Sequence, residues 1–521
     1  MPAALFFWMA SIFPALAYDV AEKDIATLQS DMRAGRVTAV ELVRAYQDRI
    51  AAIDRAGPQL NSIIALNPDA LAAAAALDAE RKAGHVRGPL HGIPILVKDN
   101  IETSDPMPTT AGSLALAGNI TRRDAPAVAR LRAAGAIILG KTNLSEWANI
   151  RSSFSISGWS AIGGLVKNPY VLDRSACGSS SGSAAAVAAS LAAAALGTET
   201  NGSLVCPASL NGIVSIKPTV GMVSRTHVVP ISHTQDTPGP MTRSVRDAAQ
   251  LLETMSGSDP ADPATAGADD PHADFGAVGG DFTWAGVRLG VIAPPDASPA
   301  GQLFAQALAK LQAAGAEIVV IRDFKPPAGL GADEDLVLKT ELKADLAAYL
   351  QSLPGDGPKT LADLIAFNRA SPRELVLFGQ DMFEQAEQSK GLDDPAYRAA
   401  VARMQANARK ALDDALAAGR LDALIQATDD PAFRVDLVRG DNDSSNAPAL
   451  PAMAGYPHLT VPMGLVKGLP VGLSFIGPAW SEGRLLDMGE AAQALLPPRQ
   501  PPQFIPSLET AGAATAPYRA P

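Results

Sequence analysis

The stretch Ser175–Pro207, SACGSSSGSAAAVAASLAAAALGTETNGSLVCP, constrains this chain more than any other. A Gly/Ser turn opens it, an alanine-rich run crosses it and a second polar turn, Thr198 to Ser203, closes it. From Ala184 to Ala195 every residue except Ser190 is Ala, Val or Leu. A run that small and apolar suits close packing on every side, and it predicts one buried helix with Gly197 as its stop. Ser179 then lies in the turn before the helix and Ser203 in the turn after it. Turns rich in Gly, Ser and Asn expose backbone N–H groups, which can stabilise an anion such as the oxyanion of acyl transfer.

The surrounding chain alternates helices with apolar strands. Asp19 to Gly57 and Asn67 to Ala83 read as helical, with Thr38 and Glu41 in a capping-box pattern. Ile93, Ile95 and Val97 alternate in a β-prone run that puts Lys98 at a strand end. A helix over Ala125 to Gly135 and a buried strand over Ala136 to Gly140 continue the rhythm of an α/β sheet. The polar loop Asn149 to Asn168 is of the kind that lines sites. After Ser203 a strand–turn run, NGIVSIKPTVGMVS, precedes a proline-bounded loop, ISHTQDTPGP, and a helix from Ser244 to Met255. Asp333 to Arg420 are mostly helical, with breaks near Gly355 and Pro372. Strands return over Leu421 to Ala427, Leu459 to Val461 and Val471 to Ile476, and Gly483 to Leu496 form a last helix. At 521 residues and 47% hydrophobic the chain has ample material for a core. No linker divides residues 18–496, which are expected to form one domain with a helical insert at about 333–420. Residues 497–521 are a Pro/Ala-rich tail, expected to be loosely held.

CGSSSGSAAAVAA followed by GTETNGS resembles the signature of the amidase-signature serine hydrolases. GIPILVKDNI (Gly92 to Ile101), GKTNLSEWAN (Gly140 to Asn149), QDTPGPMTRSVRDAA (Gln235 to Ala249) and GLPVGLSFIG (Gly468 to Gly477) match as well, in family order. SISGWSAIGG, ACGSSSGS, ETNGSLVCPA and LADLIAFNRASPREL look most like the peptide-amidase members. The resemblance implies an α/β fold: a large twisted mixed β-sheet covered by helices on both faces. It also implies a catalytic set. Ser203 would be the nucleophile, Ser179 in a cis peptide the proton bridge, and Lys98 the base. The backbone N–H groups of Thr200, Asn201, Gly202 and Ser203 would form the oxyanion hole. Lys98 must be neutral to accept a proton, and desolvation between apolar strand residues is the natural means, placing the pH optimum on the alkaline side. Asn201 stands where the family usually has Gly; Ser181 and Val205 are smaller departures.

The expected reaction is hydrolysis of carboxamide C–N bonds with release of ammonia through an acyl-enzyme, on C-terminal amides of peptides. The alternatives are small aliphatic, aryl or cyclic amides and, further off, the glutaminase subunit of a tRNA-dependent amidotransferase. The resemblance implies no cofactor. The six histidines form no metal-ligand pattern, so no metal is expected. A net charge of −11 and a pI near 5.1 argue against a nucleic-acid partner, which would need a basic face. The N-terminal run Ala3 to Phe13 is too short to span a bilayer; with Ala15-Leu16-Ala17 as a cleavage site, residues 1–17 read as a signal peptide, giving a secreted or periplasmic protein without stable membrane insertion. Such an enzyme needs no partner, so a monomer is expected. Cys177 and Cys206 are the only cysteines. The favoured reading is two small thiols packed under the site, and the alternative, if the protein is exported, is a disulfide.

Overall fold

The computed structural model describes residues 18–270, 275, 278–322, 324–442 and 447–509. Residues 1–17, expected to be a signal peptide, and the end of the tail lie outside them. Fourteen α-helices and thirteen strands form among the described residues. The strands are β1 (Ile63–Leu66), β2 (Pro94–Lys98), β3 (Ile137–Thr142), β4 (Trp159–Ser160), β5 (Gly164–Leu165), β6 (Ala194–Glu199), β7 (Val214–Lys217), β8 (Thr237–Thr242), β9 (Arg288–Val291), β10 (Glu317–Val320), β11 (Ala423–Ala427), β12 (His458–Val466) and β13 (Leu469–Ile476).

Eleven of them make one mixed sheet in the order β1-β3-β2-β6-β8-β7-β12-β13-β11-β9-β10, while β4 and β5 pair separately. Strands β3, β2 and β6 run parallel to one another, as do β11, β9 and β10; the pairings between these blocks are antiparallel. Every residue of β2, β3, β6, β7, β8 and β13 is buried. A strand buried on both sides of its pleat belongs to a sheet covered on both faces, so the expected α/β architecture is the one observed.

The alanine-rich run departs from its expected form. The helix covers only Ser181–Ala188, and Ala194 to Glu199 are strand β6. Ser190 breaks the helix with a left-handed backbone, φ 55°. The carbonyls this break frees are taken by three arginines: Arg499 bonds Ala188 O, Arg49 bonds Ala189 O and Ser190 O, and Arg243 bonds Val187 O and Ala192 O. All three come from distant segments, so a local reading has no access to them. Gly197 is not a helix stop. It lies in β6, where a Cβ would fall 2.6 Å from Leu204 and 2.8 Å from the Ser180 hydroxyl.

Two further differences concern the chain on either side of the site. TPGP, expected at the end of a proline-bounded loop, opens the inner strand β8, TPGPMT, whose Pro238 and Pro240 stand opposite Thr198 and Leu196. On its other side β8 pairs only through Met241 and Thr242, beyond both prolines. The chain after Ser203 first forms a short helix, Val205–Leu210, before strand β7. The capping box at Thr38 is present. The helical stretch resolves into Leu330–Ser352, Leu361–Ala370, Asp381–Glu387 and Pro395–Gly419, broken where Gly355 and Pro372 predicted. The described part of the tail is held rather than loose: Tyr170 donates to Gln500 O at 2.6 Å, Phe504 N to Pro169 O at 3.0 Å and Leu172 N to Ile505 O at 2.8 Å.

Candidate active site

Lys98 ends β2, between β3 and β6, and its side chain is enclosed. Its Nζ donates to Ser179 Oγ at 2.8 Å and to Thr198 Oγ1 at 2.8 Å; Asn100 Nδ2 also bonds that threonine hydroxyl, at 2.9 Å. Burial pushes the Lys98 amine down to about 7, against the pull of Asp236 and Glu199, whose charges favour the ammonium. The amine is therefore a competent proton acceptor near neutral pH.

Ser179 follows a cis peptide bond from Gly178. Gly178 is required by close approach: a Cβ there would meet the Ser145 hydroxyl at 2.2 Å. Ser145 N donates to Ser179 O at 3.0 Å, which ties the GKTNLSEWAN segment to this turn. The second turn is reached from Ser180, whose N–H bonds Ser203 O at 3.3 Å.

The turn Thr200–Ser203 is held from several sides. Glu199, buried, accepts from Leu204 N at 2.8 Å and Val205 N at 3.2 Å, which caps the short helix after Ser203. Asp236 accepts from Thr200 Oγ1 at 2.6 Å and from the Ile231 and Ser232 amides, while burial pushes its carboxyl up to about 6. Gln235 Nε2 donates to Thr200 O at 3.2 Å and to Glu334 Oε1 at 2.9 Å. Asn201, which stands where Gly is usual, donates to that same Glu334 oxygen at 2.8 Å. Its side chain is thus turned to the long helix Leu330–Ser352. Burial pushes the Glu334 carboxyl above the usual carboxylate range.

Among the described residues no acceptor takes the backbone N–H groups of Thr200, Asn201, Gly202 or Ser203. All four residues line a cavity of about 980 Å³, together with Asn149 and Ser157 of the polar loop, as expected of that loop. Lys98 and Ser179 are fully buried, and Ser203 keeps 8% exposure at the cavity wall. A serine at the cavity wall, four backbone N–H groups that no described residue takes, and a buried amine lowered to about 7 and bonded to a second serine are parts suited to acyl transfer.

Cys177 and Cys206 form a disulfide, Cα atoms 6.0 Å apart, rather than the two free thiols expected. It joins the turn of Ser179 to the helix after Ser203, and pairing across 29 residues is decided by the fold rather than by spacing. Sequence reasoning also left Thr198, Asn100, Glu199, Gln235, Asp236 and Glu334 without roles. The first five lie in or beside the motifs that carry the resemblance, which was the available signal; nothing in the sequence marked Glu334.

The amidase family model matches residues 41–486. The native peptide amidase from Stenotrophomonas maltophilia superposes with a TM-score of 0.87 at 49% identity, over 93% of this chain and 99% of that one. An amidase family protein from Bacillus anthracis str. Ames gives 0.84 at 35% identity, over 93% of each chain. A glutamyl-tRNA(Gln) amidotransferase subunit from Renibacterium salmoninarum is 36% identical over 506 residues, 90% of this chain and 93% of that protein. Fold and site define an amide-hydrolysing enzyme. The chain belongs to the amidase family.

Proposed function

We propose that this enzyme hydrolyses C-terminal carboxamides of peptides, releasing ammonia, through an acyl-enzyme on Ser203. The observation that carries the reading is the buried Lys98 amine, lowered to about 7, 2.8 Å from Ser179 Oγ and 2.8 Å from Thr198 Oγ1 at the end of the strand that leads to Ser203. Ser203 Oγ attacks the carboxamide carbon. Its proton passes to Ser179 as the Ser179 proton passes to Lys98. The four free N–H groups of Thr200 to Ser203 stabilise the oxyanion. Lys98 returns the proton through Ser179 to the leaving nitrogen and ammonia departs. Water then repeats the attack on the ester and frees the carboxylate. The likeness to the Stenotrophomonas maltophilia peptide amidase supports the peptide substrate.

Export is part of the proposal, and the disulfide beside the site suits an oxidising compartment. Among the described residues no helix is long and apolar enough to cross a membrane. Ammonia release from a matched panel tests the substrate: amidated dipeptides, the same dipeptides as internal amides, free glutamine and benzamide. Turnover confined to terminal carboxamides is expected. Preference for benzamide would make this a general amidase, and turnover of glutamine alone would favour the amidotransferase reading.

A further inference from the structure

The cavity above Ser203 carries one sign of charge. Glu334, Asp429, Asp430 and Asp441 line it, and among the described residues its lining contains no Lys, Arg or His. Glu334 is bonded to the turn that bears Ser203. It lies in the first turns of Leu330–Ser352, and both of its bonds, from Asn201 Nδ2 and Gln235 Nε2, fall on Oε1. Both donors are neutral amides. They orient the carboxylate and solvate it without cancelling its charge. Asn201 precedes Ser203 by two residues, so this fixed charge sits against the turn that receives the scissile carboxamide.

We propose that Glu334 is a specificity-determining residue that sets the cavity against carboxylates. Substrates with a free carboxylate beside the scissile amide are rejected, and the carboxylate product is expelled. This rests on the peptide-amide reading above. Carboxamide and water enter as neutral molecules; carboxylate and ammonia leave, the ammonia taking a proton as ammonium. The reaction therefore creates a negative charge where the wall is already negative, and like charges in a partly desolvated cavity repel strongly. Free glutamine, with its α-carboxylate, meets no cationic partner on the lining, whereas amides that are neutral or cationic at their last residue meet no repulsion.

The test uses the full-length enzyme at about pH 8, where the substrate and product carboxylates are ionised. It measures kcat/KM for acetylated dipeptide amides ending in Lys, Met or Glu, and the inhibition constants of the matching acids. Three proteins are compared: wild type, Glu334→Gln, which retains an oxygen to accept from both amides, and Glu334→Asp, which retains the charge. Wild type is expected to favour the Met over the Glu substrate by about tenfold or more. Glu334→Gln should cut that ratio at least about fivefold and tighten binding of the product acids by a similar factor, while Glu334→Asp keeps the wild-type ratio. Peptide amides turned over with a ratio and acid inhibition that Glu334→Gln leaves unmoved would overturn the proposal and leave the peptide reading intact. Turnover of benzamide or glutamine with none of any peptide amide would remove both.

Discussion

The strand-and-turn half of the site and its helical half are held by different forces. Lys98 and Thr198 sit on neighbouring strands, and Ser179 and Ser203 on turns beside them, in a region where β2 and β6 are buried at every residue. The helical half, residues 330–419, packs apolar side chains such as Leu342, Leu346 and Phe383 against Trp147 and Val229. Four of its polar joints are carboxylates that accept from loops of the other half. Glu334 takes Asn201 and Gln235, Glu341 takes Thr234 N at 3.1 Å, Asp345 takes His233 N at 2.9 Å, and Glu374 takes Leu114 N at 2.7 Å. The residues proposed to carry the reaction thus sit where the backbone has least freedom. The charge and shape of the cavity depend on contacts that can change one at a time.

The largest effects should fall in the first half. Ser203→Ala is expected to lower kcat/KM by about 10⁴ or more, and Lys98→Ala by a comparable factor, because the proposed nucleophile and base act as a unit. Steady-state kinetics beside thermal melts check this, with Tm of Ser203→Ala close to wild type. A Ser203→Ala enzyme with most of its activity would dissolve the contrast between the halves.

Next in size is the disulfide. It closes a loop of 29 residues between the two turns, and a cross-link of that span contributes about 2–4 kcal/mol. Replacing both cysteines by Ala should lower Tm by several degrees and kcat more than KM. Loss of stability with kinetics unaltered would show that the turns keep their places without it.

Lys98 carries a pH signature and a stability cost. With its amine lowered to about 7, kcat/KM should rise with pH through that value as the proton leaves. The same shift destabilises the fold. The unfolded lysine titrates near 10.4, so the penalty is absent above that pH, grows as pH falls and is complete below about 7. Lys98→Met should therefore be inactive yet more stable than wild type, by roughly 2 kcal/mol after the lost hydrogen bonds are counted. The gain should be largest below pH 7, shrink as pH rises and reverse before pH 10. Chemical denaturation at several pH values decides it, and an inactive variant that is less stable throughout would contradict the cost of burying this amine.

How far the sequence could be read follows the same division. Lys98, Ser179 and Ser203 were singled out through the resemblance of their motifs to a family, and the structure bonds Lys98 to Ser179 and sets Ser203 on the cavity wall. The alanine run misled because a run without polar punctuation has no period, so helix and strand look alike; arginines from three distant segments set the break at Ser190. Strand β8 was hidden by its prolines, which an inner strand accepts here because its second neighbour pairs only beyond them. Glu334 was not legible: a glutamate on a long helix looks like a solvated charge until the fold places it against Asn201.

The smallest expected effect tests the helical half alone. Asp381 opens the helix Asp381–Glu387 and accepts from Ser152 Oγ at 2.6 Å, Ser153 Oγ at 2.6 Å and Ser153 N at 3.1 Å. Partial burial raises its carboxyl, but these donors outweigh it and hold the group below the usual carboxylate range. Asp381→Asn should cost about 1 kcal/mol, because an amide accepts fewer of these bonds and more weakly. The sign of the pH dependence is fixed by the lowered value: the contribution is present above the unfolded carboxylate pKa and is lost as pH falls through the folded one. The stability difference from wild type should therefore be steady at neutral pH and close in acid. The joint lies beyond the site, so kcat should be unchanged and KM rise by no more than about threefold. A loss of kcat instead would mean that the helical half reaches the chemistry itself, and the two halves would have to be treated as one.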